Sequence, residues 1–163
     1  MLRTMCCALV LMVCAGLACT SLHAQKTKTF TVKVLDGKTG KKVTPDNIEV
    51  RVDHQKDAHV EWVTLNDDGT AKVTIPEKAT ALSIHATYDA STDYYVNCDV
   101  SKQKDTSTDT WFPTADVLSQ GLVMPNECGK EKDIRNLKIE AKPGEFVLLV
   151  RKRGLMDRVQ EMR

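Results

Sequence analysis

The stretch "TFTVKVLD", residues 29–36, alternates: Phe30, Val32 and Val34 fall on one side, Thr31 and Lys33 on the other. Side chains along an extended chain point to opposite faces in turn, so this spacing predicts a half-buried strand, one face on a core and one in water. The pattern recurs outward from it. "NIEVRVD" (47–53) sets Ile48, Val50 and Val52 inward, and "TAKVTIP" (70–76) does the same with Ala71, Val73 and Ile75. "ALSIHATY" (81–88) puts Leu82, Ile84, Ala86 and Tyr88 on the inner face, with Ser83, His85 and Thr87 on the wet one. "DYYVNC" (93–98) reads as a sixth strand. In "HVEWVTL" (59–65) the pairs Val60/Trp62 and Val63/Leu65 compete for the inner face, and Trp62 is placed as a core residue.

The punctuation agrees with strands. "DGKTGK" (36–41) and "NDDG" (66–69) are turn sequences, in which glycine takes a positive φ without steric cost. Asp-Gly between two β-like runs in "VTLNDDGTAKVTI" (63–75) predicts a hairpin. Short strands joined by such turns give a mainly β chain, a Greek-key-type antiparallel β-sandwich forming a single domain over residues 25–163.

The second half is less regular, and residues 99–136 read as an irregular segment. "SKQKDTSTDT" (101–110) lacks any apolar residue and is expected to be a mobile surface loop. "FPTADVLSQG" (112–121) predicts a short helix near 114–120, started at Pro113 or Thr114 and stopped by Gly121. "LKIEA" (137–141) predicts another alternating strand. "GEFVLLVR" (144–151) breaks the alternation with five apolar residues in a row, Phe146 to Val150. A strand of this kind is buried on both faces and belongs deep in the fold. In "GLMDRVQEMR" (154–163), Leu155, Met156, Val159 and Met162 have helical spacing, which predicts a short C-terminal helix over the sandwich.

The N-terminus has the order of a secretory signal: Arg3, then the apolar run "CCALVLMVCAGLAC" (6–19), then "TSLHA" (20–24) ending in a small residue. The apolar run is shorter than the ~20 residues of a membrane span. Cleavage is expected after Ala24, leaving an exported chain, periplasmic or extracellular, without a transmembrane segment. A lipid anchor at Cys19 fits less well, because Gly16 stands where an apolar residue is wanted. Removal of residues 1–24 takes one base and no acid, so the remaining bases and acids balance, and net charge gives no case for nucleic acid.

Cys6, Cys7, Cys14 and Cys19 leave with the signal, and Cys98 and Cys128 remain. Cys128 lies in the turn "VMPNECGK" (123–130), which offers Lys130 but neither a histidine nor a second cysteine to activate a thiol or complete a zinc site. In an exported chain the pair reads first as an intrachain disulfide. A reactive thiol and an intermolecular bridge are the other readings.

"VKVLDGKTGKKVTPDNIEVRV" (32–52), "TLNDDGTAKVTIP" (64–76) and "ALSIHATY" (81–88) resemble the carboxypeptidase regulatory-like, transthyretin-like β-sandwich domains of bacterial exported proteins. The tail "PNECGK" (125–130) with "KPGEFVLLVRKRG" (142–154) is similar to exported proteins that join such a sandwich to a tail. The resemblance implies a non-catalytic module accessory to secreted enzymes or surface assemblies, and it supplies no catalytic residues. Hydroxyisourate hydrolases share the transthyretin-like fold, but their Tyr-Arg-Gly-Ser signature is replaced here by "RKRG" (151–154).

The remaining candidates have plainer readings. His54, His59 and His85 read as surface histidines, and no cofactor or metal is expected. "NDDG" lacks the alternating acids and final Glu of an EF-hand loop. "RKR" (151–153) with the last helix reads as a capping element, a membrane-surface contact being the alternative. Trp111, Tyr94 and Tyr95 are the aromatics that could grip a partner or stack on sugars. The expected role is a secreted, non-enzymatic module with a protein or cell-envelope partner. A glycan-binding module is the alternative, and a transthyretin-like hydrolase ranks behind both.

Overall fold

The computed structural model describes residues 26–45, 47–54, 61–87, 95–99, 110–129 and 137–152. The expected signal, most of the 101–110 loop and the C-terminal helix lie outside the described residues. Nine strands and one helix follow in order: β1 (Thr27–Asp36), β2 (Asn47–Val52), β3 (Glu61–Thr64), β4 (Thr70–Pro76), β5 (Ala81–Thr87), β6 (Tyr95–Asn97), β7 (Phe112–Pro113), α1 (Thr114–Ser119), β8 (Leu122–Val123) and β9 (Glu145–Lys152). They form two sheets. Sheet A runs β4-β1-β9-β6 with β8 also on β9, and sheet B runs β3-β2-β5-β7. The chain is a β-sandwich, mainly β with one short helix among the described residues.

Alternation decides which side chains meet between the sheets. Phe30, Val32, Val34, Val73 and Ile75 of sheet A face Ile48, Val50, Leu82 and Ile84 of sheet B, all almost fully buried. Phe112 of β7 meets Phe146 of β9 edge to face, with ring centroids 5.2 Å apart. Such pairs contribute about 0.5–1.5 kcal/mol beyond the area they bury. Val52 and Ala86 pack on the same core from half-buried positions.

The non-alternating run is the centre of sheet A. Phe146, Leu148 and Val150 join the inter-sheet core, while Val147 and Leu149 form a second cluster on the outer face with Cys98, Cys128, Leu35, Val123, Ile139 and Ala141. One edge of β9 pairs in parallel with β1, from Thr31↔Glu145 to Asp36↔Val150. The other edge is shared. β8 pairs in parallel with Phe146 and Val147, and β6 pairs antiparallel with Val150, Arg151 and Lys152. Sheet A is therefore mixed, which corrects the antiparallel expectation for this sheet: β9 runs parallel to β1 and β8 and antiparallel to β6.

The Cys98–Cys128 disulfide joins the two segments that share that edge. Cys98 follows β6 and donates its N–H to Leu149 O at 2.8 Å; Met124, just after β8, donates to Val147 O at 3.0 Å; Glu127 N–H reaches Cys98 O at 2.9 Å. The turn 125–128 also grips the β1 exit. Asn126 Nδ2 donates to Gly37 O at 2.6 Å, and its Oδ1 accepts from Cys128 N at 3.2 Å. A Cβ on Gly37 would lie 2.5 Å from Cys98 Sγ and 2.8 Å from Asn126 Oδ1, so this approach of backbone to disulfide requires glycine.

Three further expectations change. "NDDG" does not close a hairpin: β3 pairs with β2, β4 pairs with β1, and the turn carries the chain from sheet B to sheet A. Gly69, at φ +72, fits only because it lacks a Cβ, which would stand 2.8 Å from Val43 O. Val63 wins the competition in β3 and packs on the core, so Trp62 points outward and is 61% exposed. "LKIEA" keeps alternating burial but forms no strand, because it lies across the outer cluster of sheet A rather than along an edge. Within 99–136 the described residues include β7, the expected helix α1 and β8. The helix is where the sequence puts it, with Pro113 as its N-cap and Gly121 following it.

Replacing both Cys98 and Cys128 by serine is expected to lower unfolding free energy by about 3–4 kcal/mol, the chain-entropy value for a loop of this length. Gly37→Ala is expected to cost about 1–3 kcal/mol by overpacking while the bridge still forms. Urea unfolding with thiol titration checks both, and an unchanged midpoint in either variant would contradict the packing described.

Candidate functional site

Of the residues singled out in the sequence, Cys98 and Cys128 are brought together and are buried, as a crosslink. Trp111 is half-buried beside His54, with ring centroids 4.2 Å apart. Tyr95 is half-buried in β6 and packs on the main core, and Tyr94 lies outside the described residues. His54 and His85 have different partners, and His59 lies outside the described residues. Among the described residues no group of three or more His, Cys, Asp or Glu side chains could hold a metal ion.

His54 stands in a turn with an unusual backbone. Asp53 and His54 both have positive φ, +52 and +58, a conformation costly for residues other than glycine. The Asp53 carboxylate holds the turn. Its Oδ1 accepts from Thr80 N at 2.7 Å, Thr80 Oγ1 at 3.0 Å and Ala81 N at 3.1 Å, while its own N–H donates to Ala81 O. Partial burial pulls the Asp53 carboxyl upward, but the Thr80 and Ala81 amides, the Thr80 hydroxyl and the Lys28 charge outweigh it and hold it below its ordinary value. Lys28 Nζ in turn donates to Ala79 O at 2.5 Å and Thr114 Oγ1 at 2.9 Å, linking β1, the β4–β5 turn and α1. This end of the sandwich is a structural knot, and Trp111 closes it against His54.

The expectation that Ser83 and His85 lie on a wet face is corrected. Ser83 is 1% exposed and His85 half-buried. Asn97 of β6 fills the edge of β5 with its side-chain amide: Oδ1 accepts from Ala86 N at 3.0 Å and Nδ2 donates to Ile84 O at 2.8 Å. With its orientation fixed in this way, Nδ2 also faces His85 Nδ1 at 3.4 Å, and His85 Nε2 lies 2.9 Å from Ser83 Oγ. Through these bonds Asn97 ties β6 of sheet A to β5 of sheet B.

The surface that stands out is the outer face of sheet B at its β3 edge. Val63 and Leu65 anchor this part of the chain in the core, which turns Trp62 and Thr64 to the outside. Opposite Trp62 lies Glu49, and opposite Thr64 lies Asn47. Thr64 Oγ1 donates to Asn47 Oδ1 at 3.0 Å, and Glu49 is paired with Arg51 at 2.5 Å. Beyond Thr64 a cleft of 440 Å³ opens between the entrance to β2 and the exit of β3, lined by Thr44, Pro45, Asn47, Thr64, Leu65, Asn66 and Asp67. Asp68, next in the turn, is committed to the fold: the Thr70 hydroxyl and amide bond its carboxylate and hold it below its ordinary value. The alternation of Val63 with Leu65 is the signal that could have placed Trp62 outside. The cleft depends on the "NDDG" turn leaving sheet B, which no local pattern reveals.

No family model, no curated protein and no solved structure matches this chain.

Acid should expose the role of Asp53. With its carboxyl held below the ordinary value of 3.8, the stability it contributes is present above that pH and is lost as pH falls through the folded value. The difference in unfolding free energy between wild type and Asp53→Asn is therefore expected to be constant near neutrality and to shrink on acidification through that range. A pH series of urea titrations checks this, and a difference that grows on acidification would contradict it.

Proposed function

We propose that the chain is an exported, non-catalytic β-sandwich module that binds a protein or cell-envelope partner. The observation that carries this reading is Trp62. Among the described residues the other large apolar side chains are buried wholly or in part, while this indole is 61% exposed on a strand anchored by Val63 and Leu65. A large exposed apolar side chain on a rigid support is a feature of contact surfaces. Export is supported by the charge, apolar run and small-residue order of the first 24 residues, and by a disulfide of the kind that persists in oxidising compartments. The resemblance to carboxypeptidase regulatory-like domains points the same way, toward an accessory module.

Full-length protein made in an export-competent bacterial host is expected to leave the cytoplasm, start near Gln25 and carry the bridge. The purified mature chain is then expected to sediment with cell-envelope particles, and Trp62→Ala to weaken that association by roughly tenfold or more, the size of a hot-spot truncation. N-terminal sequencing, intact mass and a sedimentation assay read these outcomes. A cytoplasmic, fully reduced product or the absence of any envelope association would overturn the proposal.

A further inference from the structure

We infer that the β3 edge of sheet B is a saccharide-binding site, with Trp62 as the stacking platform and the cleft beyond Thr64 as the hydroxyl-reading part. The assignment rests on the binding-module reading and names the chemical class of its ligand.

The geometry is prepared in advance. Trp62 and Thr64 are two positions apart on one strand, so they share a face about 6.4–6.8 Å from each other along the chain. Their backbone is fixed from below by Val63 and Leu65 in the core and from the side by the β2 ladder. At the far wall, Gly69 N donates to Asn66 O at 2.9 Å, and Gly69 O accepts from Val34 N at 2.9 Å, which pins the turn carrying Asn66 and Asp67 to sheet A. A ligand would meet a platform and a cleft whose relative position costs little to organise.

The chemistry of the lining selects among ligand classes. Thr44, Asn47, Thr64 and Asn66 are neutral hydroxyl and amide side chains, Asp67 adds a carboxylate, and Pro45 and Leu65 are the apolar members. Because Thr64 donates its hydroxyl hydrogen to Asn47, its oxygen presents lone pairs as an acceptor. Asp67 is a second acceptor, suited to a pair of adjacent hydroxyl groups. Among the described lining residues there is no cation to pair with a phosphate or a carboxylate. On this face Trp62 is bordered by Thr64, Glu49 and Asn47, so the exposed apolar area is one indole ringed by polar groups. A ligand with an apolar C–H face bordered by hydroxyl donors matches both parts, and a neutral sugar is that ligand. The cleft volume of 440 Å³ falls within the range of about 300–1,000 Å³ typical of small-ligand sites.

The chain has two tryptophans, so Trp111→Phe leaves Trp62 as the sole indole reporter. The mature Trp111→Phe protein would be titrated with soluble gluco-, manno-, galacto- and N-acetylglucosamine oligosaccharides while emission is followed. A saturable change is expected with at least one of them. Calorimetry on the otherwise wild-type protein should then show Trp62→Ala weakening that saccharide by about tenfold or more, and Thr64→Val or Asp67→Asn by about three- to tenfold, with unfolding midpoints kept. No saturable change with any oligosaccharide up to about 10 mM, where even millimolar affinity would register, would overturn the site. So would binding that Trp62→Ala leaves intact. Envelope particles separate this failure from that of the broader reading. Sedimentation that persists after glycan removal but is lost on protease treatment would sink the saccharide assignment and leave the binding module standing. Loss of all sedimentation would sink both.

Discussion

The structure depends on one constraint: five consecutive apolar residues, Phe146 to Val150, must be covered on both faces of a single strand. A sandwich supplies cover on one side only. The inner side chains, Phe146, Leu148 and Val150, meet sheet B, while Val147 and Leu149 would stand in water. The second half of the chain removes that exposure. β8 and β6 divide the free edge of β9 between them, the disulfide joins their ends over Leu149 and Val147, and residues 137–141 lie across the same surface. The bridge is thus a wall of a second small core as well as a crosslink. Its geometry reaches back to the β1 exit, where Gly37 and Asn126 fit against it.

This arrangement explains which parts of the fold were legible in the sequence. Period-two strands and their inner faces follow from local alternation, and Phe30, Val32, Val34, Ile48, Val50, Val73 and Ile75 are all where that pattern puts them. The double-sided burial of β9 follows from its lack of alternation. Sheet membership does not follow, because it is decided by distant partners. "NDDG" has good hairpin chemistry, but β3 and β4 each find a better-matched neighbour in a different sheet. "LKIEA" alternates as a strand would, yet its apolar side serves a surface already formed by other elements. Ser83 and His85 alternate as solvated residues would, and the bonds of Asn97 from the other sheet to the β5 edge are not visible in that local pattern.

The candidate site follows the same division. The two cysteines were readable as a pair because residue chemistry and the expected export leave few alternatives. Trp62 was misplaced because two alternating registers overlap in "HVEWVTL", and the choice between them is made by β2, against which Val63 pairs with Ile48. The cleft beside it exists because the chain changes sheets at Gly69. Binding surfaces of this kind form at the edges and corners of a sandwich, where the local sequence has least to say. The rigid interior makes such a corner usable, since platform and cleft are both tied to strands of the core.

The central claim, that β9 is the strand on which both cores are built, is tested most directly by native-state hydrogen exchange of the oxidised protein. The amides of Val147, Leu148 and Leu149 are expected to exchange only through global unfolding, with a free energy equal to that from urea denaturation. Exchange of these amides as fast as those of the edge strand β3, or at a free energy well below the global value, would contradict the account.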